Sequence, residues 1–233
     1  MMLSELSFRE YYHRYVVLEA DALTELLKAN ICISEHDCFV LCSGYIGKNG
    51  ILSFNVLAVG EDWDSCTKGL ENPAMLGTYA PEQVGNLTAK KCSPCRAARE
   101  KNEKWIRRYE ELTDHKLLET RAESRIDELR NVYYPDIVKA GIMTMKGIRE
   151  YDMRIRNFNG PFLEGILIED TPLKNYRKGD LMRTLPYKAG SGCRLLVVFS
   201  GELSAKDEQS LDNLIRQGNA KGFGFSQNHG FRN

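Results

Sequence analysis

The feature that most constrains this chain is the charged run from Arg96 to Asn131, which separates two β-rich stretches. Glu, Lys and Arg recur within it at spacings of three and four, the spacing at which oppositely charged side chains support a solvated helix. Its apolar positions are sparse: Trp105, Ile106, Tyr109, Leu112, Leu117, Leu118, Ile126 and Leu129. They suffice for one narrow packed face. A break at Thr113-Asp-His115 predicts two helices, and Pro135 closes the run.

On the N-terminal side, Tyr15-Val-Val-Leu18 reads as a strand, and Ala20 to Lys28 as a helix with Leu23, Leu26 and Leu27 at helical spacing. Two further strands, Cys38 to Cys42 and Ile51 to Val59, flank Gly47-Lys-Asn-Gly50, a strong hairpin-turn signal. Gly60 to Ala89 has prolines, short-interval glycines and few periodic apolar positions, and reads as irregular. On the C-terminal side, Tyr151 to Asn157 alternates like a half-buried strand, Asn159-Gly-Pro161 is a turn, and Gly165 to Ile168 can pair back. Leu181 to Leu185 is a short strand, and Cys193 to Phe199 a continuous apolar one. A helix capped by Ser204 runs to Gly218. This order predicts an α+β fold, a ferredoxin-like (RRM-like) antiparallel sheet with a helical insertion. The parts are 1–60, the insertion 61–138, and 139–233.

No apolar run approaches the roughly 18 residues of a membrane span. Met1 to Glu10 lacks the apolar core of a secretory signal. Seven cysteines, two of them in Cys92-Ser-Pro-Cys95, point to a reducing cytoplasm and a metal site over a disulfide framework. The zero net charge hides an asymmetry, because Lys139 to Arg194 holds eleven Lys/Arg against six Asp/Glu. Such a basic stretch suits a polyanionic partner.

Cys92 and Cys95 have the spacing of two thiolates on one tetrahedral Zn²⁺. Such a structural zinc needs more ligands, and Cys66, His115 and His36 are the candidates. Cys38 and Cys42 fall on one face of a strand, where buried cysteines serve as small hydrophobes. A redox role is weaker because no thioredoxin-like strand precedes Cys92.

The last dozen residues, Gly222-Phe-Gly-Phe-Ser-Gln-Asn-His-Gly-Phe-Arg-Asn233, alternate glycines and aromatics. Glycine lets backbone approach a ligand closely, and aromatic and amide side chains suit bases and phosphates. Gly222-Phe-Gly224, five residues and Gly230-Phe231 resemble the glycine-rich loop of the CRISPR-associated RAMP superfamily. Leu181 to Pro186, the strand through Phe199 and the helix before the loop are also similar to RAMP-like proteins of phages and mobile elements. The chain departs from the pattern at Arg232, where a final glycine is expected, and its five variable residues contain no Lys or Arg. The resemblance implies RNA binding by Gly222, Phe223, Gly224, Ser226, Gln227, Asn228, His229 and Gly230. Arg183 and Lys188, from the basic stretch, join them as candidates. The implied partners are guide RNA and the other subunits of a ribonucleoprotein effector, with no membrane.

His13 is the one candidate for catalysis. In the guide-processing branch of the resembled superfamily, an N-terminal histidine often acts as general base on a ribose 2′-OH. Tyr12 and Arg14 would add an acid and a cation. Adjacent strand residues, however, point to opposite faces. The leading expectation is therefore a non-catalytic RNA-binding subunit. The alternatives are a metal-independent endoribonuclease and a zinc-stabilised interaction protein of phage type that presents the long helix.

Overall fold

The computed structural model describes residues 2–19, 36, 38–47, 50–68, 77–80, 84, 87–93, 96–110, 113–189, 192–201 and 213. The chain is a mixed α+β protein that divides into two compact units. Unit 1 comprises Met1–Asp114 and Asn131–Pro135, and unit 2 comprises His115–Arg130 and Asp136–Asn233. The boundary falls inside the segment read from sequence as one insertion. The predicted helix at 20–28, the helix at 204–218 and the glycine-rich loop at 222–233 lie outside the described residues, apart from Asn213.

Unit 1 opens with a 3₁₀ turn, Leu3–Glu5, and a short helix α1, Phe8–Tyr11. The five strands are β1 (Tyr15–Glu19), β2 (Phe39–Ile46), β3 (Leu52–Gly60), β4 (Gly77–Tyr79) and β5 (Thr88–Cys92). They pair in the order β4-β3-β2-β1-β5, and every pairing is antiparallel. The predicted hairpin joins β2 to β3, with Gly50 at φ 75° and its N–H on the Gly47 carbonyl at 2.9 Å. In a ferredoxin-like sheet the first strand would run parallel to the third; here β1 lies antiparallel between β2 and β5. The described strands therefore give an antiparallel sheet of a different order. Helix α2 (Trp63–Lys68) and strands β4 and β5 occupy the stretch expected to be irregular.

Apolar groups cover both faces of this sheet, which is why β2 is buried almost throughout and reads as a near-continuous apolar run. On one face Leu3, Leu6, Phe8 and Tyr11 join Val16, Leu18, Val40, Phe54 and Val56. On the other, Val17, Leu41, Leu57 and Cys66 pack with Trp63 and with Trp105 of helix α3 (Arg96–Glu110). The 131–135 segment returns to the sheet, where the Val132 carbonyl accepts from the Tyr11 hydroxyl at 2.8 Å.

Unit 2 begins with helix α4 (His115–Ala122) and a 3₁₀ turn, Ser124–Leu129. The predicted helix break at 113–115 is where α3 and α4 separate, and the two belong to different units. A single contact surface running the length of 96–131 is thereby replaced by two helices, each packed in its own unit. Strands β6 (Ile137–Thr144), β7 (Gly147–Asn159), β8 (Phe162–Leu167), β9 (Leu181–Ala189) and β10 (Gly192–Ser200) form a closed barrel. An antiparallel meander with an odd number of strands brings its first and last strands to the seam pointing the same way. Accordingly β10 meets β6 in parallel, Leu195 opposite Ala140 and Leu196 opposite Gly141. Register shifts at Ile155/Asn157 and Val197/Phe199 supply the local bending that closure demands. Inside sit Val138, Ile142, Met153, Ile155, Leu163, Met182 and Leu195, together with Ile126 from the 3₁₀ turn. No described helix is long and apolar enough to cross a membrane.

Two buried ionic clusters fix unit 2. The Arg121 guanidinium grips Asp136 with two bonds, Nε to Oδ1 at 3.0 Å and Nη2 to Oδ2 at 2.6 Å. Arg130 donates to the Thr120 carbonyl at 2.5 Å. Removing one member of a buried pair strands the other, so Asp136→Ala is expected to cost about 3–5 kcal/mol in urea unfolding. The second cluster is Glu164, which accepts from Arg183 at 2.6 Å, Asn159 at 3.0 Å and Asn157 at 3.2 Å. Burial raises its pKa, but these three donors outweigh burial and leave it below the ordinary 4.5. A carboxylate held low stabilises the fold above its unfolded pKa and stops doing so as pH falls through the folded one. The melting temperature should accordingly fall on acidification below about pH 4.5, and less steeply in Glu164→Gln.

Candidate nucleic-acid interface

The registers of unit 1 place Thr78, Asn55, Ser43, Tyr15 and Cys92 in one line across all five strands. Directly paired residues project to the same side of a sheet. The line is thus a polar row across the face that α3 covers. Asn102 of α3 meets it, fully buried, and its Nδ2 donates to the Tyr15 hydroxyl at 3.0 Å and to Ser43 Oγ at 2.7 Å. Its Oδ1, like Asn55 Nδ2, is buried with no hydrogen-bond partner among the described residues. An unmet buried polar atom costs about 1–3 kcal/mol. Natural folds rarely retain such atoms without a use.

Beside this row, the chain turns sharply between α1 and β1. The turn is pinned to β2, since His13 N–H donates to the Gly44 carbonyl and Gly44 N–H to the Arg14 carbonyl, both at 3.0 Å. Gly44 is required there, because a Cβ would stand 2.3 Å from the Tyr11 carbonyl oxygen. His13 takes φ 54°, a left-handed conformation in which histidine is less unusual than most residues. Its ring stacks on Tyr12 with centroids 4.1 Å apart, and Tyr12 stacks on Phe8 at 4.8 Å.

Turn, row and helix enclose a cleft of about 460 Å³ lined by His13, Arg14, Tyr15, Cys92, Ser93, Arg99, Asn102, Glu103, Ile106 and Arg107. Three arginines face one glutamate. None of Arg14, Arg99 and Arg107 forms a salt bridge among the described residues. The α3 contribution, at 99, 102, 103, 106 and 107, is one helical face at i, i+3, i+4, i+7 and i+8. That spacing was visible in the sequence as a stripe of polar groups interrupted by Ile106. What it lacked was any sign of the sheet face opposite.

The structure brings together some of the sequence-derived candidates and scatters others. His13 and Arg14 share the cleft, while Tyr12 supports His13 from behind. Cys92 also lines it. A strand, β5, does precede Cys92 and α3 follows from Arg96, contrary to the ground on which a redox role was set aside. The stronger ground is burial, which pushes the Cys92 thiol up and away from a reactive thiolate. Cys95 lies outside the described residues. Cys66 is buried in the core with its Sγ toward the Ala58 carbonyl at 3.9 Å, and His115 begins α4 in unit 2. Among the described residues, no group of three His, Cys, Asp or Glu is placed to hold a metal ion.

Arg183 is engaged with Glu164 and donates to the Gly201 carbonyl at 3.1 Å, so its role in the barrel is internal. Lys188 lies on β9 opposite Cys193. Gly222, Phe223, Gly224, Ser226, Gln227, Asn228, His229 and Gly230 fall outside the described residues. No family model matches the chain, and no curated protein or solved structure is significantly similar to it.

Gly44→Ala forces the 11–14 turn off β2. We expect a loss of about 1–3 kcal/mol in unfolding experiments, the usual cost of overpacking, and displaced His13 and Tyr12 ring resonances in NMR spectra.

Proposed function

We propose that this protein binds RNA, and that the cleft of unit 1 is where it grips the phosphate backbone. The observation that carries the reading is the convergence of Arg14, Arg99 and Arg107 with His13 on one cleft. Guanidinium groups offer bidentate, charge-assisted hydrogen bonds to phosphate oxygens. The glycine-rich 222–233 loop supports the same partner through its resemblance to RAMP proteins, and that resemblance alone supports a subunit of a CRISPR-type effector holding guide RNA. The sheet order of unit 1 adds nothing to the family part of the reading. The Cys92-x-x-Cys95 spacing is what supports a structural zinc, and metal analysis of the purified chain decides it: one equivalent upholds it, none removes it.

A second reading is favoured by the placement of His13 and Arg14 in the same cleft, a base and a cation about one phosphate. In that reading the chain is a metal-independent endoribonuclease. It predicts cleavage of a repeat-containing RNA that His13→Ala abolishes while binding survives.

Arg14, Arg99 and Arg107 replaced together by Ala should weaken RNA binding. The slope of log K against log salt should fall by about 2, at about 0.7 per phosphate contact on a single strand. An unchanged slope places the RNA elsewhere on the chain.

A further inference from the structure

The arginines account for a phosphate, but two features of the cleft do not concern charge. One is the buried Asn102 amide, whose Oδ1 accepts no hydrogen bond among the described residues although the residue forms part of the cleft wall. Its Nδ2 is held by Tyr15 and Ser43, so the amide is fixed and the acceptor presented to a ligand is set. The other is the stacked series Phe8, Tyr12, His13, in which the last ring is exposed and lines the cleft. A stacked series braced from behind is a platform for another flat ring. An unmet acceptor calls for an N–H donor. A group with a flat face, an N–H edge and a phosphate attached is a nucleotide.

We infer that the cleft takes one unpaired nucleotide of a single-stranded RNA. Its phosphate lies against Arg14, Arg99 and Arg107, its base stacks on His13, and a base N–H reaches Asn102 Oδ1. This rests on the RNA reading above and sharpens it. A base in a duplex has its N–H edge occupied by its partner and its faces by its neighbours, so the site selects single strands. Every base carries an N–H donor in this position except for chemically stripped ones, so the site discriminates strandedness and the presence of a base more than sequence. Stacking on aromatic side chains is sequence-tolerant for the same reason.

The test uses the full-length chain and fluorescence anisotropy with three labelled probes of equal length: a single-stranded RNA, the same sequence as a duplex, and an oligomer with abasic ribose throughout. The single strand should bind about tenfold or more tighter than the duplex and the abasic oligomer, within the range measured for stacked bases. His13→Asn keeps a residue tolerant of positive φ and removes the imidazole ring, and should shrink the gap between single strand and abasic oligomer while leaving abasic binding unchanged. Asn102→Leu should shrink it too, scored only if its circular dichroism and melting match the parent's. The comparison among probes on the unaltered chain needs no variant. Equal affinity for all three probes, still lost on replacing the arginines, overturns this inference and leaves RNA binding standing. No binding of any probe at low salt removes both.

Discussion

The cleft depends on a contact with no side chain in it. Gly44 of β2 lies so close to the Tyr11 carbonyl that nothing larger fits, and the paired bonds between Gly44 and residues 13 and 14 hold the chain in a tight turn. From that turn follow the left-handed His13, the stacked rings behind it and the direction in which Arg14 leaves the sheet. The strain of a non-glycine residue at positive φ, on the order of 1–3 kcal/mol, is offset by the two strand-like hydrogen bonds and by the packing of Tyr11 and Phe8 beneath. A turn over-determined in this way holds its side chains still, as a binding surface requires.

Across the cleft, position is set by polarity. A helix covering a sheet ordinarily does so with apolar groups, and Trp105 and Ile106 of α3 serve that end. Asn102 departs from it. By hydrogen bonding to Tyr15 and Ser43 it fixes which residues of α3 face the row, and therefore where Arg99 and Arg107 stand relative to Arg14. An apolar residue at 102 would pack as well and define that register less sharply. The polar row and its unmet acceptor are thus both a register device and the floor of the site.

Much of the fold was legible in the sequence. Alternation revealed β7, β8 and β9, apolar continuity revealed β10 and β2, and glycines marked the turn at Gly50. Strand β6 escaped because Ala140 and Gly141, which allow β10 to approach at the seam, erase its alternation. Strand β5 escaped because it lies at the sheet edge, where Lys90 and Lys91 guard an exposed backbone and resemble loop residues. Sheet order and barrel closure are non-local and leave no periodic trace. Of the site, His13 and Arg14 were visible as chemistry. Their partnership with Asn102 was not, since it arises only when a helix some ninety residues further along lands on the same strands.

The central claim is that RNA contacts the cleft of unit 1. Ultraviolet crosslinking of the full chain to a single-stranded RNA, with the crosslinked peptides identified by mass spectrometry, tests it most directly. The account predicts adducts on the peptides that carry His13 to Tyr15 and Arg99 to Arg107. Adducts confined to the barrel or to the 222–233 loop, with none on those two segments, would contradict it.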